Sequence, residues 1–331
     1  MSAVERITAA VVGLGYWGPN LARNLAALPG VELRWLCDAD VERLGRWAQL
    51  YPTAKTADRL EELLADPDLD LVCLATPVAS HASLCRSVLE AGKHCFVEKP
   101  LARSSAEARQ LAELAERKGL TLMVGHLLLY HPAVVKLKEL IGEGTLGDLY
   151  YLYTNRLNLG QLRRDENALW SLGAHDVSVL LYLLEEQPQR CIAHGEAFLQ
   201  EGIEDVVFCY LRFPSGVAAH LHLSWLDPHK ERRLTAVGSK RMATFDDMAL
   251  EGKLTIFDKG FDQDFRSWGE YLARSGERLS PALPAAEPLR LECEHLLRCL
   301  REGSRPRSDG RSAVAVVQVL EELERSLREG R

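Results

Sequence analysis

Two short stretches pair residue types that do redox chemistry with a spacing that can place them. Glu98-Lys99-Pro100 closes the apolar run Cys95-Phe96-Val97. A lysine at the end of a buried strand can serve as a general base if desolvation and a neighbouring positive charge pull its pKa toward neutrality. Pro100 stops the strand and restricts the backbone of Lys99, and an X-Pro bond is the one common place for a cis peptide. The plain alternative is a surface lysine, the ordinary fate of this residue type. The second stretch, Gly13-Leu14-Gly15-Tyr16-Trp17-Gly18, directly follows the apolar run Ile7–Val12 and precedes a helical pattern of leucines at 21, 25 and 28. G-x-G-x-x-G between a strand and a helix is a dinucleotide fingerprint. The first glycine makes the tight turn, the second lets the backbone approach a pyrophosphate at the helix N-terminus, and the third lets helix and strand pack closely. Pro19 falls in the first helical turn, where a missing N–H costs nothing. A further strand, 31–37, ends at Asp38, 25 residues after Gly13, where a carboxylate can accept the adenosine ribose hydroxyls. Asp40 adds negative charge with only Arg43 beside it, so NAD is expected over NADP. A helix cap before Val41 is the competing role for Asp38.

The elements that must hold these residues alternate. Strand-like runs at 69–75, ending at Thr76-Pro77, then 95–99 and 120–124 are separated by helical patterns, one opened by His81 and one over 106–118. Alternating strands and helices imply a doubly wound parallel sheet, in which ligands bind beyond the carboxyl ends of the strands. Gly13–Gly18, Asp38, Thr76-Pro77 and Glu98-Lys99-Pro100 all fall at such ends, which makes a functional Lys99 the better reading.

Composition narrows the class. At 331 residues the chain suits two domains. A formal net charge of -7 argues against nucleic acid and against anionic membranes as partners. Met1–Arg6 is short and polar, so no signal peptide is expected, and no run approaches the roughly 18 apolar residues of a membrane span. The eight cysteines show no C-x-x-C and no zinc spacing with histidines, so no metal is expected and a reducing cytoplasm is the simplest location.

The fingerprint, then Ala75-Thr76-Pro77 with His81, then Glu98-Lys99-Pro100, resembles the glucose–fructose oxidoreductase / inositol dehydrogenase / rhizopine catabolism (Gfo/Idh/MocA) family over the whole chain. The resemblance implies an N-terminal Rossmann domain, assigned to 1–125, and a C-terminal α+β domain with a large open, mostly antiparallel sheet, assigned to 126–331. It also implies a pyridine nucleotide, a sugar or cyclitol substrate, the Glu98-Lys99-Pro100 lysine in the active site, and a homodimer or homotetramer through the open sheet.

Past Gly125 the alternation breaks. A helix is expected over 132–141, a strand over 148–158, a helix from 168 to 186, and strand-like runs at 191–198, 206–213, 217–225 and 233–237, joined by tight turns such as Pro214-Ser215-Gly216. Residues 275–288 read as a loop, and 289–301 and 312–328 as amphipathic helices. The family often carries D-x-x-x-H at a helix start. His175 matches the histidine, expected to orient the reacting hydroxyl, while Ser171 stands where the aspartate would be, which removes a carboxylate from an inositol-type relay. Asp176 is read as structural. Arg156 and Asn158 fall two apart on one strand face, and the arginine suits a carboxylate or phosphate, or else a cross-strand ion pair. With Asn167 and Trp170 they resemble the substrate stretch of the branch that oxidises nucleotide-linked N-acetyl sugar acids at C3. The alternatives are a cyclitol or aldose dehydrogenase and a non-catalytic NAD-binding regulator of the same fold.

Overall fold

The computed structural model describes residues 6–160, 162–164, 166–264 and 270–329. The chain divides into two units, Met1–Tyr130 with Ala286–Gln318, and His131–Ala285 with Val319–Arg331.

In the first unit, β1 (Ile7–Val12), α1 (Gly18–Ala27), β2 (Val31–Cys37), α2 (Val41–Ala48), β3 (Lys55–Ala57), α3 (Leu60–Leu64), β4 (Leu71–Leu74), α4 (Val78–Glu90), β5 (His94–Glu98), α5 (Ser105–Lys118) and β6 (Leu122–Gly125) alternate. The six strands pair in parallel in the order β3-β2-β1-β4-β5-β6. β1 and β4 are buried along their whole length, as strands covered on both faces must be. The order reverses between β1 and β4, the switch point beyond which such sheets bind ligands. Two expectations are corrected here. The short β3 and α3 were not foreseen. Helix α4 begins at Val78, so His81 lies one turn inside it and faces the core; Pro77 supplies the N-cap backbone, and the helix starts as soon as the proline is passed.

The second unit opens with α6 (Pro132–Gly142) and the long β7 (Leu149–Leu159). A π-helical turn over Leu169–Gly173 runs directly into α7 (Ala174–Leu184), followed by β8 (Arg190–Glu196), β9 (Val206–Arg212), β10 (Ala218–Ser224), β11 (Leu226–Gly238), β12 (Met242–Asp246), β13 (Leu254–Asp264) and β14 (Glu270–Leu279). The sheet order is β14-β13-β12-β11-β7-β10-β9-β8. It is antiparallel except where β7 and β10 pair in parallel. Strands β12 to β14 were not foreseen, and part of the expected loop at 275–288 is strand. The reason lies in the burial. Residues 271–279 are exposed or half-buried on both faces, so no apolar alternation marks them.

The last two helices are α8 (Pro288–Glu302) and α9 (Gly310–Glu329). The expected boundary gave everything after 125 to the second domain, whereas α8 groups with the first unit. It packs on α1 and on the 3₁₀ turn Leu127–Tyr130. Glu287, just before it, pairs with Arg23 of α1 at 2.6 Å. An apolar stripe announces that a helix covers something, but not which sheet. Among the described residues no helix is long and apolar enough to cross a membrane, and no three His, Cys, Asp or Glu side chains gather as metal ligands.

Candidate functional site

The fingerprint loop is shaped for a pyrophosphate. Gly13 has φ +88°, and a Cβ there would lie 2.7 Å from the carbonyl oxygen of Ala75. A Cβ on Gly18 would lie 1.8 Å from the carbonyl oxygen of Gly13. These two glycines are required by the protein's own packing. At Gly15 an added Cβ meets nothing within 4 Å, so the backbone there borders open space. Trp17, the N-cap of α1, makes no side-chain capping hydrogen bond, and the first turn holds no acid. The positive end of α1 would therefore face an anion with no competing acid. Tyr16 is 91% exposed and stacks on Trp17, 6.4 Å between ring centroids. This geometry fits the diphosphate of a dinucleotide.

Asp38, at the end of β2, is buried, and its carboxylate accepts the N–H of Leu14 at 2.6 Å and that of Asp40 at 2.8 Å. The helix cap is Asp40, which accepts the Arg43 N–H. Arg43 pairs with Asp38 at 3.2 Å and with Asp40 at 3.1 Å. Asp38 is thus fixed against the fingerprint loop, with two carboxylates set against one guanidinium.

One strand order further along, Lys99 follows the last residue of β5, and the Lys99–Pro100 bond is cis. His81, part of the motif that carries the family resemblance, faces inward. It is 1% exposed, and its ring nitrogens lie 2.8 Å from the carbonyl oxygens of Pro100 and Thr76. It ties the turn after β5 to the turn after β4 and does not reach outward. Burial pushes its pKa down, opposed by the two carbonyls. Thr76 Oγ1 accepts the Ser80 hydroxyl at 2.9 Å, and Pro77 is exposed beside it. The Glu98 carboxyl lies against Gly125, whose added Cβ would sit 3.0 Å from Glu98 Cδ. Burial pushes the Glu98 pKa up to about 8, while the Lys99 charge and a hydrogen bond from the Trp17 indole oppose the rise. The fingerprint loop and the Glu98-Lys99-Pro100 turn are therefore in direct contact through Trp17 and Glu98.

In the second unit, the π turn precedes His175, which is half-buried. Single π turns recur at functional sites, and nothing in the local periodicity foretold this one. Gly173 is needed inside it, since a Cβ would meet Leu223 Cδ1 at 2.9 Å. Trp170 and Ser171 lie half-buried in the same turn. Asn167 is buried. Its oxygen accepts the Trp170 N–H at 3.2 Å, and its amide donates to Glu204 at 2.7 Å. Asn158 folds over Gly160. Arg156 is held within the protein. Its guanidinium donates to both carboxylate oxygens of Asp176, at 2.6 and 3.2 Å, with both side chains nearly buried. The arginine is in an ion pair, but with a helix residue and not across strands, and Asp176 is structural.

Two residues beside the cofactor edge were missed. His126, next after β6, is 2% exposed, and burial together with the Lys99 charge pulls its pKa to about 3. Glu292 on α8 is fully buried. A signal for it exists, since Leu289, Glu292, Cys293, Leu296 and Leu297 recur at the period of one helical face, placing an acid among core positions.

Comparisons with known proteins agree with this layout. Residues 7–126 match the oxidoreductase family model described as the NAD-binding Rossmann fold, GFO/IDH/MocA, and residues 134–244 match the GFO/IDH/MocA C-terminal domain. The D-apiose dehydrogenase of Paraburkholderia graminis is 26% identical over 100% of this chain and 90% of its own. The UDP-N-acetylglucosamine 3-dehydrogenase of Acidithiobacillus ferrooxidans is 28% identical over 76% of each chain. Among solved structures, GenD2 from gentamicin A biosynthesis, in complex with NAD, superposes with a TM-score of 0.83 at 27% identity, covering 99% of this chain and 96% of that one.

Proposed function

This chain belongs to the Gfo/Idh/MocA oxidoreductase family, and from that premise we propose that it is an NAD-dependent dehydrogenase acting on the C3 hydroxyl of a nucleotide-linked N-acetyl sugar. The observation that carries the reading is the single edge of the parallel sheet on which the pyrophosphate cradle, Asp38 and the Glu98-Lys99-Pro100 turn all stand. Gly13–Gly18 and the N-terminus of α1 would hold the diphosphate, and Asp38 the adenosine ribose. When bound, NAD supplies the acceptor for the hydride that leaves the sugar carbon. Lys99 takes the hydroxyl proton onto Nζ, and the family's sequence pattern alone gives His175 the role of orienting the hydroxyl. A regulator that only sensed the dinucleotide would need neither residue. The similarity to a UDP-N-acetylglucosamine 3-dehydrogenase supports the nucleotide-sugar class over a free cyclitol, as does Ser171 in place of a relay aspartate. Arg156, held by Asp176, is not assigned to a sugar carboxylate.

The test is thermal stabilisation by NAD alone and with UDP-N-acetylglucosamine, its uronic acid, inositols and free hexoses. A ligand at a hundred times its Kd adds about 2.7 kcal/mol to the folded state. UDP-N-acetylglucosamine or its acid is expected to raise the midpoint beyond NAD alone. A response confined to inositols or hexoses would move the substrate to that class, and NAD stabilisation with no sugar response would favour the regulator.

We also propose a homo-oligomer formed through the second unit's sheet. Tyr151, Phe208 and Tyr210 on neighbouring strands are 40%, 51% and 39% exposed. Tyr153 stacks on His220 at 5.2 Å and Phe208 on His222 at 4.4 Å, giving an aromatic surface continuous across β7, β10 and β9. Surfaces of this kind mark protein contacts. Light scattering at micromolar concentration is expected to give at least a dimer, and a monomer would refute the assembly.

A further inference from the structure

Native interiors rarely leave polar atoms unpartnered, yet five side-chain atoms at the cofactor edge of the first unit are buried without a hydrogen-bond partner among the described residues: Glu98 Oε1, both ring nitrogens of His126 and both oxygens of Glu292. Glu98 ends β5, His126 follows β6, and α8 carries Glu292 over the turn that begins just after His126. Glu292 is 0% exposed, and the charge that acts on it is Glu98. The other groups facing it are Cys73 of β4, Cys293 of its own helix and Tyr130 of the 3₁₀ turn. Tyr130 donates or accepts at Ser308, 2.9 Å away, and is covered by the Arg307 guanidinium. On α1, Arg23 and Asn24 are engaged by Glu287. His126 is held neutral, so it supplies no compensating positive charge. Lys99 is the cation that acts on Glu98.

Two carboxylates brought together out of water do not both ionise. We propose that Glu98 and Glu292 are both protonated in the free protein and give up one proton when the oxidised, cationic nicotinamide is bound, so that the pair answers to the oxidation state of the cofactor. This rests on the reading of the Glu98–Lys99 turn as the nicotinamide end of the site. Glu292 is then a positioning residue that acts through Glu98. The proton goes to solvent, and no bond other than O–H is broken.

The sign follows from where the proton sits. The free pair keeps it below about pH 8, the value to which burial lifts Glu98. A bound positive charge lowers that value, so the NAD+ complex holds fewer protons at neutral pH, and its affinity must rise with pH. NADH carries no ring charge and produces no such release.

The experiment is isothermal titration calorimetry of the full chain with NAD+ and with NADH near pH 7, in two buffers of different ionisation heat. The wild type is expected to release roughly half a proton or more on binding NAD+ beyond any released with NADH. Its Kd for NAD+ then falls about threefold per pH unit between pH 6 and 8. Glu292→Gln, which keeps the side-chain shape, and Glu98→Gln as the second variant are each expected to flatten that dependence. Thermal unfolding reads the same pair without cofactor. A raised carboxyl contributes stability that is lost as pH rises from the unfolded value toward the folded one, so the wild type should weaken from about pH 5 to 8 and Glu292→Gln should weaken less. Equal proton counts for NAD+ and NADH, or a Glu292→Gln protein with wild-type counts, would overturn the proposal while leaving the cofactor reading intact. A protein that binds neither dinucleotide would overturn both.

Discussion

Lys99→Met is expected to lower turnover by about 10²-fold or more on the best substrate of the stabilisation panel, the usual scale for loss of a general base. NAD affinity should be nearly unchanged. The diphosphate cradle is built from Gly13, Gly15, Gly18 and the start of α1, and Asp38 is fixed by Leu14 and Arg43; none of these contacts involves Lys99. The loss should therefore appear in kcat and not in the cofactor Kd. Methionine keeps the length and the apolar stem and removes only the ammonium. The wild-type rate should rise with pH as the base deprotonates, and that limb should vanish in the variant. If Lys99→Met oxidises the substrate as fast as the wild type, the base is elsewhere and Glu98-Lys99-Pro100 is only a turn.

The largest stability effect should come from the second unit. Arg156 and Asp176 form a two-pronged ion pair, their side chains 11% and 7% exposed. Removing one member leaves the other charged and nearly buried, which costs about 3–5 kcal/mol. Asp176→Ala is therefore expected to lower the thermal midpoint sharply. Replacing both by apolar residues of similar volume should recover most of the loss, because the attraction and the desolvation of such a pair nearly cancel. If Asp176→Ala unfolds at the wild-type temperature, the pair is not the fastening that links α7 to β7. A fully stable Arg156→Met with weakened sugar binding would return the arginine to the substrate.

Much of the first unit was legible because its signals are local. A strand, three glycines at fixed spacing and a helix occupy one continuous stretch from Ile7 to Ala27, and the steric reasons for Gly13 and Gly18 are met within that unit. Asp38 and Lys99 could be placed for the same reason: each ends a strand, and in a parallel sheet all strand ends fall on one edge. The parallel sheet, its dinucleotide cradle and the first strands of the second sheet follow from periodicity and turn residues.

What the tertiary structure decided was choice of partner. Periodicity shows that a side chain faces inward but not what it meets there. Arg156 had the chemistry for a ligand carboxylate, and the fold gave it Asp176 from a helix 20 residues on. His81 carries a ring able to bond a cofactor, and one helical turn of difference in the start of α4 put it between two carbonyls. Strand β14 carries no alternation of buried residues, and pairing with β13 makes it a strand. Glu292 lies on a helix that returns to the first unit after the whole second sheet has been made, and its neighbour in charge is 194 residues earlier in the chain. Sequence patterns reach about one element in each direction, whereas burial and charge pairing act between whichever elements the topology brings together.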